Sequence, residues 1–216
     1  MLDPAGAAFW AGKRVLIAAD LPFAVQPGFS SRPAAPGTLA ALERLNRLVR
    51  LYRPAKVILL GTGLASGAPA PLHKDPLPKD QRARLDAMAR EANFIWVGAA
   101  PGADLPGQCV AVHREGPFTF RHEPAQKLAP REIEISGFVQ PKASIEARAK
   151  RVSRPCFATD ASRLVLPAFA AQAGGLDVRD PAIAKLFPRG FRVFLLGQEQ
   201  LFSFALEQLG RMAEVA

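Results

Sequence analysis

Three short apolar runs, separated by stretches of helix length, constrain the fold of this chain more than any other feature. They are KRVLIAAD (Lys13 to Asp20), KVILLG (Lys56 to Gly61) and FIWVG (Phe94 to Gly98). Unbroken apolar runs of this length suit strands buried on both faces, the usual condition of a parallel sheet. Between the first two, Thr38 is placed to cap a helix running to about Pro54. On it Leu42, Leu45, Leu48, Val49 and Tyr52 share one face, and Arg44, Arg47 and Arg50 share the opposite one. A second helix, from about Lys79 to Ala92, leads into the third run. The series is β-α-β-α-β, which predicts a parallel sheet covered by helices.

From residue 108 the pattern changes. QCVAVH, FTFRHE, REIEISGF, ASIEARAKRV, CFATD, RLVLP and FRVFLLG are short β-type runs divided by turn residues, with little helix before the last dozen positions. Such a series predicts a second, mostly antiparallel sheet packed on the first. No repeat is evident, and the Pro/Gly loops punctuate the chain without splitting it, so one α/β sandwich domain over residues 1–216 is expected.

Composition narrows the function classes. No run of about 18 apolar residues occurs, and MLDPAGAAFWAGKR lacks a basic start followed by an apolar core. The expectation is a cytoplasmic protein with no membrane partner. The cysteines, Cys109 and Cys156, lie far apart in strand-like runs and read as core thiols. A net charge of +9 points first to nucleic acid, although a general preference for arginine produces the same count.

Ligands of an open parallel sheet bind at the carboxyl ends of its strands. Those ends carry Asp20 and Pro22, then Thr62, then Ala99 and Ala100, and the later β part adds His122 in RHEP and Phe138 and Gln140 in SGFVQP. Here the order of elements resembles the calcineurin-like metallophosphoesterases, and within them the bacterial ligase-associated DNA damage response endonucleases. The resemblance runs from roughly Trp10 to Phe187. It is most specific in RHEP (Arg121 to Pro124), in the spacing to SGFVQP, and in RPCFATDASRLVLPAFAAQAGGLDVRDPAIAKLF. It implies an αββα sandwich of two mixed sheets flanked by helices.

The family's catalytic pattern is D-x-H, GD, GNHD or GNHE, a single His, then G-H-x-H. By this resemblance the first Asp is kept as Asp20 and the single His as His122. The His of D-x-H falls on Pro22, the Asp of GD on Thr62, and the Asn-His pair on Ala99 and Ala100. The two His of G-H-x-H fall on Phe138 and Gln140. Two dications about 3.5 to 4 Å apart need an anionic bridge and several imidazole or carboxylate ligands. Threonine is not that bridge, and alanine, proline and phenylalanine have no side-chain lone pair. The whole chain has three histidines, His73, His113 and His122.

The expectation is a pseudoenzyme with no cofactor, acting as a DNA-binding or scaffold subunit beside a DNA ligase, helicase or nuclease. The alternative is a phosphoesterase or endonuclease with manganese or another divalent metal in a reduced site at Asp20 and His122, helped by Gln140 or Thr62. Ser30, Ser31, Thr159 and Ser162 have no evident base beside them, so a new nucleophile is not expected. The basic segment after the former metal loop carries Lys142, Arg148, Lys150, Arg151 and Arg154. With Arg44, Arg47 and Arg50 it is the candidate phosphate-binding surface, or else a solvated edge strand.

Overall fold

The computed structural model describes residues 1–22, 37–61, 78–98, 105–147, 150–169 and 174–210, with the backbone alone at 146, 147, 150 and 151. The first sheet has the order β1 (Ala8–Trp10), β2 (Val15–Ala19), β3 (Lys56–Leu60), β4 (Asn93–Val97), β5 (Gln108–Val110). β1 is antiparallel to β2, and the other pairings are parallel. Helices α1 (Thr38–Tyr52) and α2 (Lys79–Glu91) connect β2 to β3 and β3 to β4. The strand order advances in one direction, and crossovers are right-handed, so both helices fall on the same face. Leu42, Leu45, Leu48 and Val49 of α1 and Leu85 and Met88 of α2 pack there against Leu16, Ala18, Val57, Leu59, Phe94 and Trp96. Trp96 is fully buried, and its Nε1 donates to the Pro106 carbonyl at 2.8 Å.

The opposite face of that sheet meets the second sheet. Ile17, Ala19, Ile58, Leu60, Ile95 and Val97 pack on Phe120, Ile135, Phe157 and Leu166. The second sheet contains β6 (Val112–Glu115), β7 (Phe118–Arg121), β8 (Ile133–Ser136), β9 (Lys142–Ala147), β10 (Lys150–Thr159), β11 (Arg163–Val165), β12 (Arg192–Leu196) and β13 (Leu201–Ala205). The order is β13-β12-β10-β11-β8-β7-β6, with β9 on β10. It is mixed, since β8 is parallel to both β7 and β11. Its outer face is covered by Val178, Leu186, Phe187, Phe191 and Ile183 of the short helix α3 (Pro181–Ala184). Asp180 caps α3 through its Oδ1, which accepts from the Ala182 N–H at 2.8 Å.

The layers are therefore helix, sheet, sheet, helix and loop, as expected. Four local readings are corrected. QCVAVH is two strands, β5 in the first sheet and β6 in the second, so the chain changes sheets at Ala111. ASIEARAKRV is not one strand either, since β9 and β10 pair antiparallel as a hairpin. LFSFA, absent from the expected strands, forms edge strand β13, and the five residues after it are a 3-10 turn. Thr38 does not cap α1: Gly37 holds the cap position, and the Thr38 hydroxyl donates to the Pro22 carbonyl at 2.6 Å.

Candidate functional site

Asp20, Gly61 and Gly98 directly follow β2, β3 and β4, while His122 and Gly137 follow β7 and β8, so the carboxyl ends of both sheets converge on one place. The segment after β11 is joined to the first sheet there through backbone, with the Phe169 N–H donating to the Ala19 carbonyl at 2.7 Å, and within the second sheet the Gly137 N–H donates to the His122 carbonyl at 3.1 Å. His122 Nε2 lies 2.8 Å from Asp20 Oδ1, across 102 residues of sequence. Asp20 Oδ2 accepts the Phe138 N–H at 3.1 Å. Asp20 and His122 are 5% and 8% exposed, so water contributes little to satisfying either one.

The glycines are required by the imidazole. A Cβ at Gly61 would stand 2.2 Å from His122 Nε2, and one at Gly98 would stand 2.6 Å from His122 Cβ. Both have positive φ, 79° in each case, which L side chains rarely adopt. Asp20, Phe138 and Gln140 are also left-handed, at φ 53°, 68° and 49°. Non-glycine residues persist there only when their surroundings hold them, and such positions cluster at functional sites. The Phe138 ring, 45% exposed, meets the His122 ring edge to face at a centroid distance of 5.4 Å.

Beneath His122 the segment 122–131 is tied down by buried charge. Glu134, fully buried, takes Arg163 Nη1 at 2.6 Å, Arg121 Nη1 at 3.2 Å and the Ala125 N–H at 2.9 Å. Arg163 Nη2 donates to the Ala125 carbonyl at 2.7 Å, and Arg121 also pairs with Glu132 at 2.7 Å. Desolvation pushes the Glu134 carboxyl up from its ordinary value, against the pull of these donors. Glu132 is instead held down at about 2, chiefly by the Ala129 N–H and then by Arg121. Sequence reasoning missed this network. The alternation of charged and apolar residues in REIEIS was its only trace.

The expected site residues thus divide. Asp20, His122 and Phe138 come together, Gln140 follows Phe138 by two residues with its backbone close to Gly175, and Pro22 stands two residues beyond Asp20 with its carbonyl on Thr38. Thr62, Ala99, Ala100 and Arg148 lie outside the described residues, as do the side chains of Lys150 and Arg151. Among the described residues no group of three or more His, Cys, Asp or Glu side chains is placed to hold a metal ion. Asp20 and His122 supply two such side chains between them, and here they are hydrogen-bonded to each other: a carboxylate only accepts, so the imidazole donates from Nε2.

Of the basic candidates, Arg47, Arg50 and Arg154 are exposed. Arg44 is a correction. Its half-buried guanidinium lies 4.3 Å from the Phe169 ring centroid and donates to the Phe169 carbonyl, tying α1 to the segment that follows β11. Burial, with Arg47 nearby, pulls its pKa below the ordinary value. Arg50 stands at the other end of the sheet from Asp20, near the turn that enters β3. Burial pushes both thiols, Cys109 and Cys156, up from their ordinary value, so neither is activated.

No family model matches the sequence, and no curated protein does. Among solved structures, the nuclease MPE of Pseudomonas putida matches 94% of this chain and 93% of its own, at 25% identity and a TM-score of 0.65. The chain has the calcineurin-like metallophosphoesterase fold. Two further structures overlap less well. YfcE, a phosphoesterase from E. coli, matches 89% of this chain and 98% of its own at 13% identity and a TM-score of 0.45. Vps29 from Entamoeba histolytica matches 89% and 97% at 14% identity and a TM-score of 0.36. In this metallophosphoesterase fold, the Asp20–His122 pair occupies the crevice at the carboxyl ends of the strands, where an open parallel sheet presents its ligand site.

Proposed function

We propose that this chain is a metallophosphoesterase-fold protein that binds nucleic acid without hydrolysing it and serves as a binding or scaffold subunit in DNA repair. The observation that carries this reading is the closed Asp20–His122 contact, whose acceptors and donor are used within the protein. Around it stand residues with no ligand chemistry, such as Phe138 and Pro22. The charge of +9 supports a polyanionic partner, and a nuclease among the structural relatives supports nucleic acid in particular. By the resemblance to the ligase-associated endonucleases, a DNA ligase, helicase or nuclease is the neighbour to look for.

Retention of Asp20 and His122, in contact at the crevice, favours one second reading: a hydrolase with a reduced manganese site. One experiment separates the two. The purified protein is incubated with manganese, iron and zinc salts, desalted, and assayed for bound metal and for phosphodiester hydrolysis. Near-zero metal, no hydrolysis and salt-sensitive binding of a fluorescent DNA duplex are expected. One or two ions per chain, with hydrolysis abolished in Asp20→Asn, would establish the hydrolase instead.

A further inference from the structure

The amino ends of the parallel strands, opposite the Asp20 crevice, hold a cavity of about 430 Å3 lined by Arg14, Val49, Arg50, Arg53, Pro54 and Glu91. Three arginines and one glutamate line it, and all four are exposed. Arg14 is fixed in place, because its Nε donates to the Arg53 carbonyl at 3.1 Å and its Nη2 donates to the same oxygen. The backbone around it is stitched as well, with the Ala55 N–H on the Arg14 carbonyl at 2.8 Å and the Asn93 N–H on the Ala55 carbonyl at 3.0 Å. Among the described residues, Arg50 and Arg53 make no ion pair. Their guanidiniums are left with donors to spend on a ligand.

A second observation is independent of the charge. Arg53 closes α1 in a left-handed conformation, φ 43°, with its N–H on the Val49 carbonyl at 2.8 Å, and Arg14 is left-handed too, at φ 53°. These are positions that glycine or asparagine ordinarily fills, since a side chain there is strained. Two arginines stand where backbone stability favours other residues, and both line one cavity.

The geometry points to this cavity, not the crevice at Asp20, as the place where the chain grips the phosphate backbone of nucleic acid. The inference rests on the nucleic-acid reading above and gives it a location. Arg14 acts as the rigid wall, Arg50 and Arg53 supply the mobile donors, and Glu91 weakens the grip by its charge. The occupant is a polyanion with successive phosphates, because concave arginine clusters match phosphate oxygens in pairs and the cavity is larger than one such group.

The test is anisotropy of a short fluorescent DNA duplex titrated with protein over a range of salt concentrations. Arg50→Glu and Arg53→Gly are each expected to weaken binding and to lower the slope of log affinity against log salt by about one for each lost phosphate contact. Arg53→Gly relieves the left-handed strain, so its melting temperature should equal or exceed that of the wild type, and a loss of binding cannot be put down to misfolding. Glu91→Gln should tighten binding. Arg189→Glu, which alters net charge as Arg50→Glu does but lies beside α3 on the far layer, should bind as the wild type does. Wild-type binding that is untouched in Arg50→Glu and Arg53→Gly overturns the site while leaving the function intact. A loss confined to Arg154→Glu would overturn it too, and would move the site to the β9–β10 hairpin. Failure of the wild type to bind DNA at all would overturn the nucleic-acid reading and this inference together.

Discussion

Replacing Arg163 by methionine keeps much of the side-chain volume and removes the charge from the network beneath His122. In the native chain Arg163 is 5% exposed and its partner Glu134 is fully buried, with 2.6 Å between Nη1 and Oε1. The substitution leaves Glu134 with Arg121 at 3.2 Å and the Ala125 N–H at 2.9 Å, and it strips the Ala125 carbonyl of its donor. Breaking one side of a buried ion pair costs about 3 to 5 kcal/mol, the lost carbonyl bond included as a contribution of about 1 kcal/mol. For a chain of this size, each kcal/mol moves the midpoint by roughly 2 to 4 °C, so a fall of about 10 °C is expected. The double variant Arg163→Met/Glu134→Leu removes both charges and leaves Arg121 its bond to Glu132, so it should recover at least half of the loss. Thermal and urea unfolding followed by far-UV circular dichroism measure both variants, with the urea slope checked for constancy. A single variant within about 1 kcal/mol of wild type, or a double variant no better than the single, would refute the uncompensated-charge argument.

Three further outcomes follow from the same geometry. Gly61→Ala should destabilise the protein and expose His122, because the new Cβ would fall 2.2 Å from Nε2 at a backbone φ of 79°; hydrogen exchange and thermal unfolding report it, and a neutral result contradicts the placement of the ring. Glu132 has its folded pKa held at about 2 against an ordinary 4.5, so its contribution is complete above the upper value and is lost as pH falls through the window between them. Acid unfolding of Glu132→Gln should therefore be flatter than wild type in that window. Arg44→Met should leave DNA binding and its salt slope unchanged while lowering stability by about 1 to 2 kcal/mol, through loss of the Phe169 carbonyl bond and the ring contact. A loss of binding without loss of stability would return Arg44 to the ligand surface.

How far the molecule is legible in its sequence depends on what each residue's environment reveals locally. KVILL and FIWV are buried on both faces, so an unbroken apolar run announces them, and the helix between the first strands shows its buried leucines at helical spacing. The change of sheet at Ala111 is invisible, because a single alanine between two β-type runs carries no turn chemistry. Edge strand β13 is hidden for another reason: Phe202 is 45% exposed, and the strand has no clean alternation to betray it. Asp20 and His122 stand out through chain order and resemblance, yet their direct contact needs the crossing of two sheets to be seen. The arginines divide most instructively. A helical wheel puts Arg44 with Arg47 and Arg50, but the long Arg44 side chain, midway along α1, reaches the Phe169 ring, while Arg50 stands in the last turn at the opposite end of the sheet from Asp20. Arg14 and Arg53 escape the wheel entirely, since neither lies in the helix interior and nothing in the sequence marks an arginine for a left-handed turn. Charge counts can say that a polyanion is welcome. Only the return of the chain at Arg14 and Arg53 says where three arginines line one cavity, and that place lies at the far end of the sheet from the crevice to which sequence motifs direct attention.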